Sequence, residues 1–220
     1  ELGGKSPAIV LEGADLTVTA RRLIWGKGLN AGQSCIAPDH ILIKKQIKET
    51  LIEELIKTIK EFYGKYPLKS KDLAQIINIS QFERLNSLLE KSKEEGQLIF
   101  GGEVDREERR ITPALIQVQD RNDPLMQEEL FGPLIPILNI SSIETAVSEI
   151  SKQPRPLAIY LFGGGKKEEQ LILDKTTSGG VCFNDVIMQA GIPELPFGGI
   201  GASGIGSYHG YAGFETFSHQ

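Results

Sequence analysis

The chain has 220 residues, 40% hydrophobic and 24% charged, with a formal net charge of −5. No apolar run approaches the roughly 20 residues a membrane-spanning helix requires, and lysine and arginine are interspersed with a larger number of acids. Both features argue against a membrane span and against nucleic acid or an anionic bilayer as partner. Two cysteines are too few for a disulfide scaffold, and neither they nor the three histidines have metal-ligand spacing. With no recognisable targeting segment, the default expectation is a cytoplasmic, metal-free protein large enough to bury a core unaided.

Apolar runs alternate with amphipathic stretches, the pattern of a sheet with helices packed on it. Ala8–Leu11 is predicted as a strand, followed by a helix from Leu16 to about Leu29 capped by Asp15. Ile41–Ile43 is the next strand. The clearest helix carries Ile47, Leu51, Ile52, Leu55, Ile56, Ile59 and Phe62 on one face and ends near Gly64 and Pro67. Ser80 with Glu83 reads as a capping box for a helix bearing Phe82, Leu85, Leu88 and Leu89 that stops at Gly96. Leu98–Phe100 and Ala114–Val118 are predicted strands, separated by a charged segment, Glu103–Arg110, expected to be a solvated loop.

Ile135–Ile140 is a further strand, and Ser141 with Glu144 repeats the capping-box signal before a helix to about Ser151. Ala158–Phe162, a helix from Lys166 to about Lys175, and Val181–Asn184 form a strand–helix–strand unit, whose length implies parallel strands and a right-handed crossover. From Gly191 onward glycine and proline interrupt every pattern, predicting a long loop region. No repeat or linker divides the chain, so residues 1–220 are expected to form one domain.

Gly199-Ile-Gly-Ala-Ser-Gly204 matches G-x-G-x-x-G. A dinucleotide site needs a strand before that motif and a helix N-terminus after it, so that aligned N–H groups meet the pyrophosphate. Leu195-Pro-Phe precedes it here and Ile205-Gly-Ser-Tyr-His-Gly follows, so tight turns are the better reading.

The chemistry concentrates elsewhere. Cys182, within Val181-Cys-Phe183, has the setting of a small buried hydrophobe. Cys35 differs: Gly32-Gln-Ser-Cys35 is a small, polar stretch between a helix and a strand, where backbone N–H groups can face a ligand and favour a thiolate. Glu1 stands beside Gly3 and Gly4, and Glu128-Glu129 precedes Leu-Phe-Gly-Pro133. Each carboxylate alone would read as a solvated charge.

Taken in order, ELGGKSP (1–7), GQSCIAPD (32–39), EELFGP (128–133), SGGVCFND (178–185) and LPFGGIGASGIG (195–206) resemble the aldehyde dehydrogenase superfamily over essentially the whole chain. The ending SYHGYAGFETFSHQ and the NDVIM stretch at 184–188 are similar to its class 3 branch. The resemblance implies an α/β catalytic-domain fold, an open, mostly parallel twisted sheet flanked by helices. It also implies NAD(P)-dependent oxidation of an aldehyde, aliphatic or aromatic. Cys35 would be the nucleophile that forms a hemithioacetal and then a thioester, and Glu1 the base for hydrolysis. Glu129 would bind the nicotinamide-side ribose and Phe131 would pack beside the nicotinamide. Asn184 and the 195–206 loop would shape the site, and His209 would make a structural hydrogen bond.

Two departures stand out. Gln189 follows NDVIM where this branch usually has histidine, which would retune the substrate-entry surface. The sequence also begins at Glu1 without methionine and reads as a piece of a longer protein, with the cofactor domain expected upstream. These residues alone would then bind NAD or NADP weakly and lack dehydrogenase activity, while the parent would be a homodimer. The rival readings are a cofactor-independent thiol esterase using Cys35, an acylating reductase working on thioesters, and a non-catalytic interaction module. Glu1 weighs against the acylating reductase.

Overall fold

A computed structural model describes residues 2–219. The elements in chain order are β1 (Pro7–Val10), α1 (Leu16–Gly28), β2 (His40–Lys44), α2 (Lys45–Tyr63), α3 (Ile79–Glu94) and β3 (Leu98–Phe100). Then follow β4 (Val104–Asp105), β5 (Arg110–Ile111), β6 (Ala114–Val118), β7 (Leu134–Ile140) and α4 (Ile143–Ser151). The last are β8 (Ala158–Phe162), α5 (Lys166–Lys175), β9 (Gly180–Phe183) and α6 (Gly210–Thr216). Seven strands form one sheet in the order β3-β6-β7-β2-β1-β8-β9, parallel throughout except for the β3–β6 pair. The expected mostly parallel α/β sheet is therefore present, including parallel pairing of β8 with β9.

Period-2 alternation distributes each central strand between two cores. Ala8, Val10, Ile41 and Ile43 face α1 and α2, whose Leu23, Ile24, Leu51, Leu55 and Ile59 complete that layer. Ile9 and Leu42 face the other way, onto Phe82, Leu85 and Leu89 of α3, Ala146 of α4 and Ile172 of α5. Because both faces are covered, the central strands read as continuous apolar runs. Each fully buried side chain of this size contributes roughly 1.5–3 kcal/mol. Among the described residues no helix is long and apolar enough to cross a membrane.

Four local expectations are corrected. Helix α3 is capped by Asn78, whose Oδ1 accepts from Gln81 N at 2.9 Å, and Ser80 lies inside the first turn. Helix α4 is capped by Ser142 and not Ser141; Ser142 Oγ accepts from Thr145 N at 3.3 Å. The residue in extended conformation immediately before the helical dihedrals takes the cap, and a spacing match one or two positions away cannot distinguish it. The charged 103–110 segment is not a loop throughout: β4 and β5 pair antiparallel, Val104 opposite Ile111 and Asp105 opposite Arg110. The fully buried Ile111 and the Thr112 hydroxyl, bonded to both Glu103 N and the Glu103 carboxylate, hold this hairpin. Finally, the glycine-rich end contains α6, a two-turn helix obscured in the sequence by Gly210 and Gly213.

Candidate active site

The turn carrying Cys35 follows directly from α1. After Gly28 the chain passes through Asn30 (φ 51°), Ala31 (φ 54°) and Gly32 (φ 75°), a run of left-handed conformations that ends the helix abruptly. Gln33 fixes this reversal. Its amide donates to Asn30 O and Gln75 O, both at 2.9 Å, and its Oε1 accepts from Ile77 N at 2.8 Å. A β-turn follows, closed by Ala37 N donating to Ser34 O at 3.0 Å, with Cys35 and Ile36 at its centre. Cys35 is half-buried, and its carbonyl accepts from Ser6 Oγ at 3.4 Å. The polar, glycine-containing turn between helix and strand is thus where the sequence reading placed it.

Three of the five motifs converge around that turn. Ser6, Asp39 and Pro133 immediately precede β1, β2 and β7, so the loops meet at the amino ends of parallel strands. Most open α/β sheets bind ligands at the carboxyl ends, so this placement follows from the particular loops and not from the general topology. A buried ion pair ties the loops together: Lys5 Nζ donates to Asp39 Oδ2 at 2.6 Å, to Leu125 O at 2.6 Å and to Glu128 O at 2.9 Å. Asp39 Oδ1 in turn accepts from Leu130 N at 2.8 Å. One carboxylate and one ammonium therefore fix ELGGKSP, CIAPD and EELFGP in a single arrangement. Burial pushes the Asp39 carboxyl upward, but Lys5, the adjacent His40 ring and Lys27 hold it well below the usual carboxylate range.

Glycine permits the closest approaches. A Cβ on Gly32 would stand 2.3 Å from Gly132 O, so the cysteine loop and the EELFGP loop touch backbone to backbone. A Cβ on Gly3 would stand 2.4 Å from Glu129 Oε2. Glu129 occupies that space, half-buried, and accepts a hydrogen bond from Gly4 N–H. Burial raises its carboxyl to about 7, against the effect of that N–H. Phe131 (φ 49°) is 38% exposed, so its ring is open to a ligand. Gly3, Gly4, Lys5 and Glu129 line a cleft of about 250 Å³. Glu1 lies outside the described residues.

The remaining motifs are held by local contacts. Asn184 (φ 54°) accepts from Gly163 N at 3.0 Å through Oδ1, and its carbonyl accepts from Arg22, so it anchors the end of β9. In the 195–206 loop a Cβ on Gly199 would fall 1.9 Å from Ser203 O, and Gly201 bridges Gly204. The motif is a set of tight turns, with no strand before it and no helix start immediately after it. His209 departs from expectation. Its ring stacks on Phe197 (5.7 Å) and meets Tyr208 edge-on (4.6 Å), and its buried Nδ1 has no hydrogen-bond partner among the described residues. Aromatic packing, not a hydrogen bond through Nδ1, holds it.

Sequence reasoning missed Lys5 and Asp39, which sit in quoted motifs but were assigned no role, and Lys27. Lys27 is only 3% exposed. Burial lowers its ammonium to about 8, against the pull of Asp39, with Lys5 and Glu129 also close enough to act on it. The signal was available: Lys27 follows Ala20, Leu23 and Ile24 at positions i+7, i+4 and i+3, on the core-facing stripe of α1.

A mostly parallel α/β fold in which three loops, tied by a buried ion pair, converge on a thiol-bearing turn has the layout of an enzyme that works through a covalent cysteine adduct. The chain belongs to the aldehyde dehydrogenase family, whose model matches residues 1–220. Its relatives include class 3 members: aldehyde dehydrogenase family 3 member A2 of Rattus norvegicus is 46% identical over 220 residues, covering all of this chain and 45% of that protein. The dimeric, NADP-preferring aldehyde dehydrogenase of the same species is 44% identical, with 100% and 48% covered. Among solved structures, the substrate-bound state of Staphylococcus aureus AldH superposes with a TM-score of 0.96 at 43% identity, over all of this chain and 47% of that one. The chain thus spans less than half the length of these relatives.

Proposed function

We propose that these 220 residues form the catalytic domain of an NAD(P)-dependent aldehyde dehydrogenase that oxidises an aliphatic or aromatic aldehyde to its acid. The observation that carries the reading is the convergence of Ser6, Cys35, Asp39 and Glu129 at the amino ends of β1, β2 and β7. The Cys35 thiolate adds to the aldehyde carbon, forming the C–S bond while the carbonyl π pair moves to oxygen. That alkoxide lies within reach of backbone N–H groups of the turn, including Cys35's own. The dinucleotide, when bound, supplies the hydride acceptor that takes the hemithioacetal to the thioester. Glu1 then removes a proton from water as it attacks the thioester, expelling the thiolate and releasing the acid.

The residues present fit the nicotinamide half of that cofactor. A carboxylate held by Gly4 N–H suits paired ribose hydroxyls, and an exposed ring at Phe131 suits a flat heterocycle. The 195–206 turns are no pyrophosphate cradle, so NAD or NADP is expected to bind these residues alone only weakly, and the complete reaction is proposed for a protein of the relatives' length. The name of the 44% identical rat enzyme supports a dimeric parent; the low cysteine count supports a cytoplasmic one.

Acylation tests the nucleophile without cofactor, since an activated ester delivers the same thioester directly. p-Nitrophenyl acetate should give a burst of about one equivalent of p-nitrophenol, with acetyl on the Cys35 peptide and none in Cys35→Ser. A chain that shows no burst while folded would refute the proposal.

A further inference from the structure

Tyr160 is the one polar side chain in the five-residue buried strand β8, and its ring lies wholly inside the core. Its hydroxyl donates to Ile36 O at 2.5 Å. That carbonyl belongs to the Ile36–Ala37 peptide, whose N–H closes the Ser34–Ala37 turn around Cys35. One rigid amide is therefore held at both ends, by Ser34 O on its N–H and by the tyrosine on its oxygen. The same hydroxyl accepts from Gln189 Nε2 at 3.4 Å and from the Ile187 N–H. Since its proton is committed to Ile36 O, the hydroxyl can only accept from the loop, which fixes the orientation of the glutamine amide.

We propose that Tyr160, braced by Gln189, is a positioning residue for the nucleophile, coupling the 184–191 loop to the turn that carries Cys35. This rests on Cys35 being the nucleophile. Removing the phenol oxygen leaves the Ile36 carbonyl without a partner inside the core and frees the turn to tilt, which moves both the sulfur and the N–H groups beside it. The observation also gives Gln189 a role: it offers an amide N–H that does not titrate.

The experiment measures acylation of Cys35 by p-nitrophenyl acetate in the 220-residue chain, with mass spectrometry separating the Cys35 and Cys182 peptides after iodoacetamide labelling. Tyr160→Phe should slow Cys35 acylation about five- to tenfold, the loss expected for one buried hydrogen bond. Labelling of Cys182, the register partner of Tyr160, reports local opening of β8 against β9, whereas general loosening would also lower the urea-unfolding midpoint. Gln189→Met, which keeps the volume and removes the donor, should slow it about twofold to threefold, and Gln189→His, which restores an N–H, should recover most of the rate. If Tyr160→Phe does not fold, the Gln189 pair decides. Unchanged Cys35 rates in the folded variants, or a rate loss that follows the fall in the unfolding midpoint and is not recovered by Gln189→His, would overturn the proposal. Should the unsubstituted chain acylate no faster than its urea-unfolded form, the nucleophile assignment itself fails and the positioning role falls with it.

Discussion

Asp39→Asn tests whether one ion pair organises the site. The substitution keeps an oxygen to accept from Leu130 N but removes the charge facing Lys5 at 2.6 Å, where the two side chains are 3% and 9% exposed. Breaking a buried pair from one side costs about 3–5 kcal/mol, because the remaining ion is left without compensation. Lys5 retains two carbonyl partners, Leu125 O and Glu128 O, which places the expectation at the lower end, about 3 kcal/mol. For a chain of this size that lowers the melting temperature by roughly 6–12 °C. Lys5→Met added to Asp39→Asn should recover part of the loss, and the double-mutant cycle from urea unfolding should give a coupling above about 1.5 kcal/mol. The pH dependence supplies a second reading. Asp39 is held below its ordinary value, so its contribution is full above about pH 4 and disappears as pH falls through the lower native value. Asp39→Asn should therefore flatten the acid limb of the stability curve. A melting temperature within about 3 °C of the unsubstituted chain would show that the pair does not organise the loops.

Glu129 should act in the opposite sense to Asp39. Its native value near 7 lies above its unfolded one, so stability is lost as pH rises from about 4.5 to about 7, on the order of 1–2 kcal/mol once solvent screening of a half-exposed carboxylate is allowed for. His40, lowered by burial, contributes with the reverse sign in an overlapping window, so urea unfolding of Glu129→Gln at pH 5 and pH 8 isolates the effect: the variant should lose that decline. Gly32→Ala must accommodate a Cβ 2.3 Å from Gly132 O at a φ of +75°, and calorimetry should show a destabilisation of at least about 2 kcal/mol together with slower Cys35 acylation; a neutral result would mean the two loops are not in contact. Asn78→Ala should cost about 1 kcal/mol while Ser80→Ala stays within about 0.5 kcal/mol, and the reverse ranking in chemical denaturation would restore the Ser80 cap.

The legible parts of the fold are those where a single physical rule dominates. The strands β1, β2, β6, β7 and β8 announced themselves because burial on both faces makes them nearly continuous apolar runs, and α2 because nineteen residues give a 3.6-residue pattern room to repeat. The caps of α3 and α4 were misplaced because Asn78, Ser80, Ser141 and Ser142 are all competent acceptors. Only the backbone dihedral that precedes the helix chooses among them. The β4–β5 hairpin was hidden because its two-residue strands are too short for alternation, and the burial of Ile111 that stabilises it is a tertiary property.

The site divides along a similar line. Cys35, Glu129 and Phe131 could be named as candidates because their motifs are contiguous in sequence, whereas the groups that hold those motifs together are not. Lys5 reaches Leu125 and Glu128 across more than a hundred residues, and Asp39 reaches Leu130 across 91. Tyr160 acts on a turn 124 residues earlier, from a strand whose other members are purely apolar. A tyrosine in such a strand is compatible with ordinary packing until its hydroxyl is seen to end on a particular carbonyl. Burial itself supplies the missing criterion: a hydroxyl, ammonium or carboxylate taken out of water must end on a partner, so each polar residue inside an apolar run names a contact that the sequence cannot locate. Here Asp39 and Tyr160 are two such buried residues, and each of them reaches the loops around Cys35.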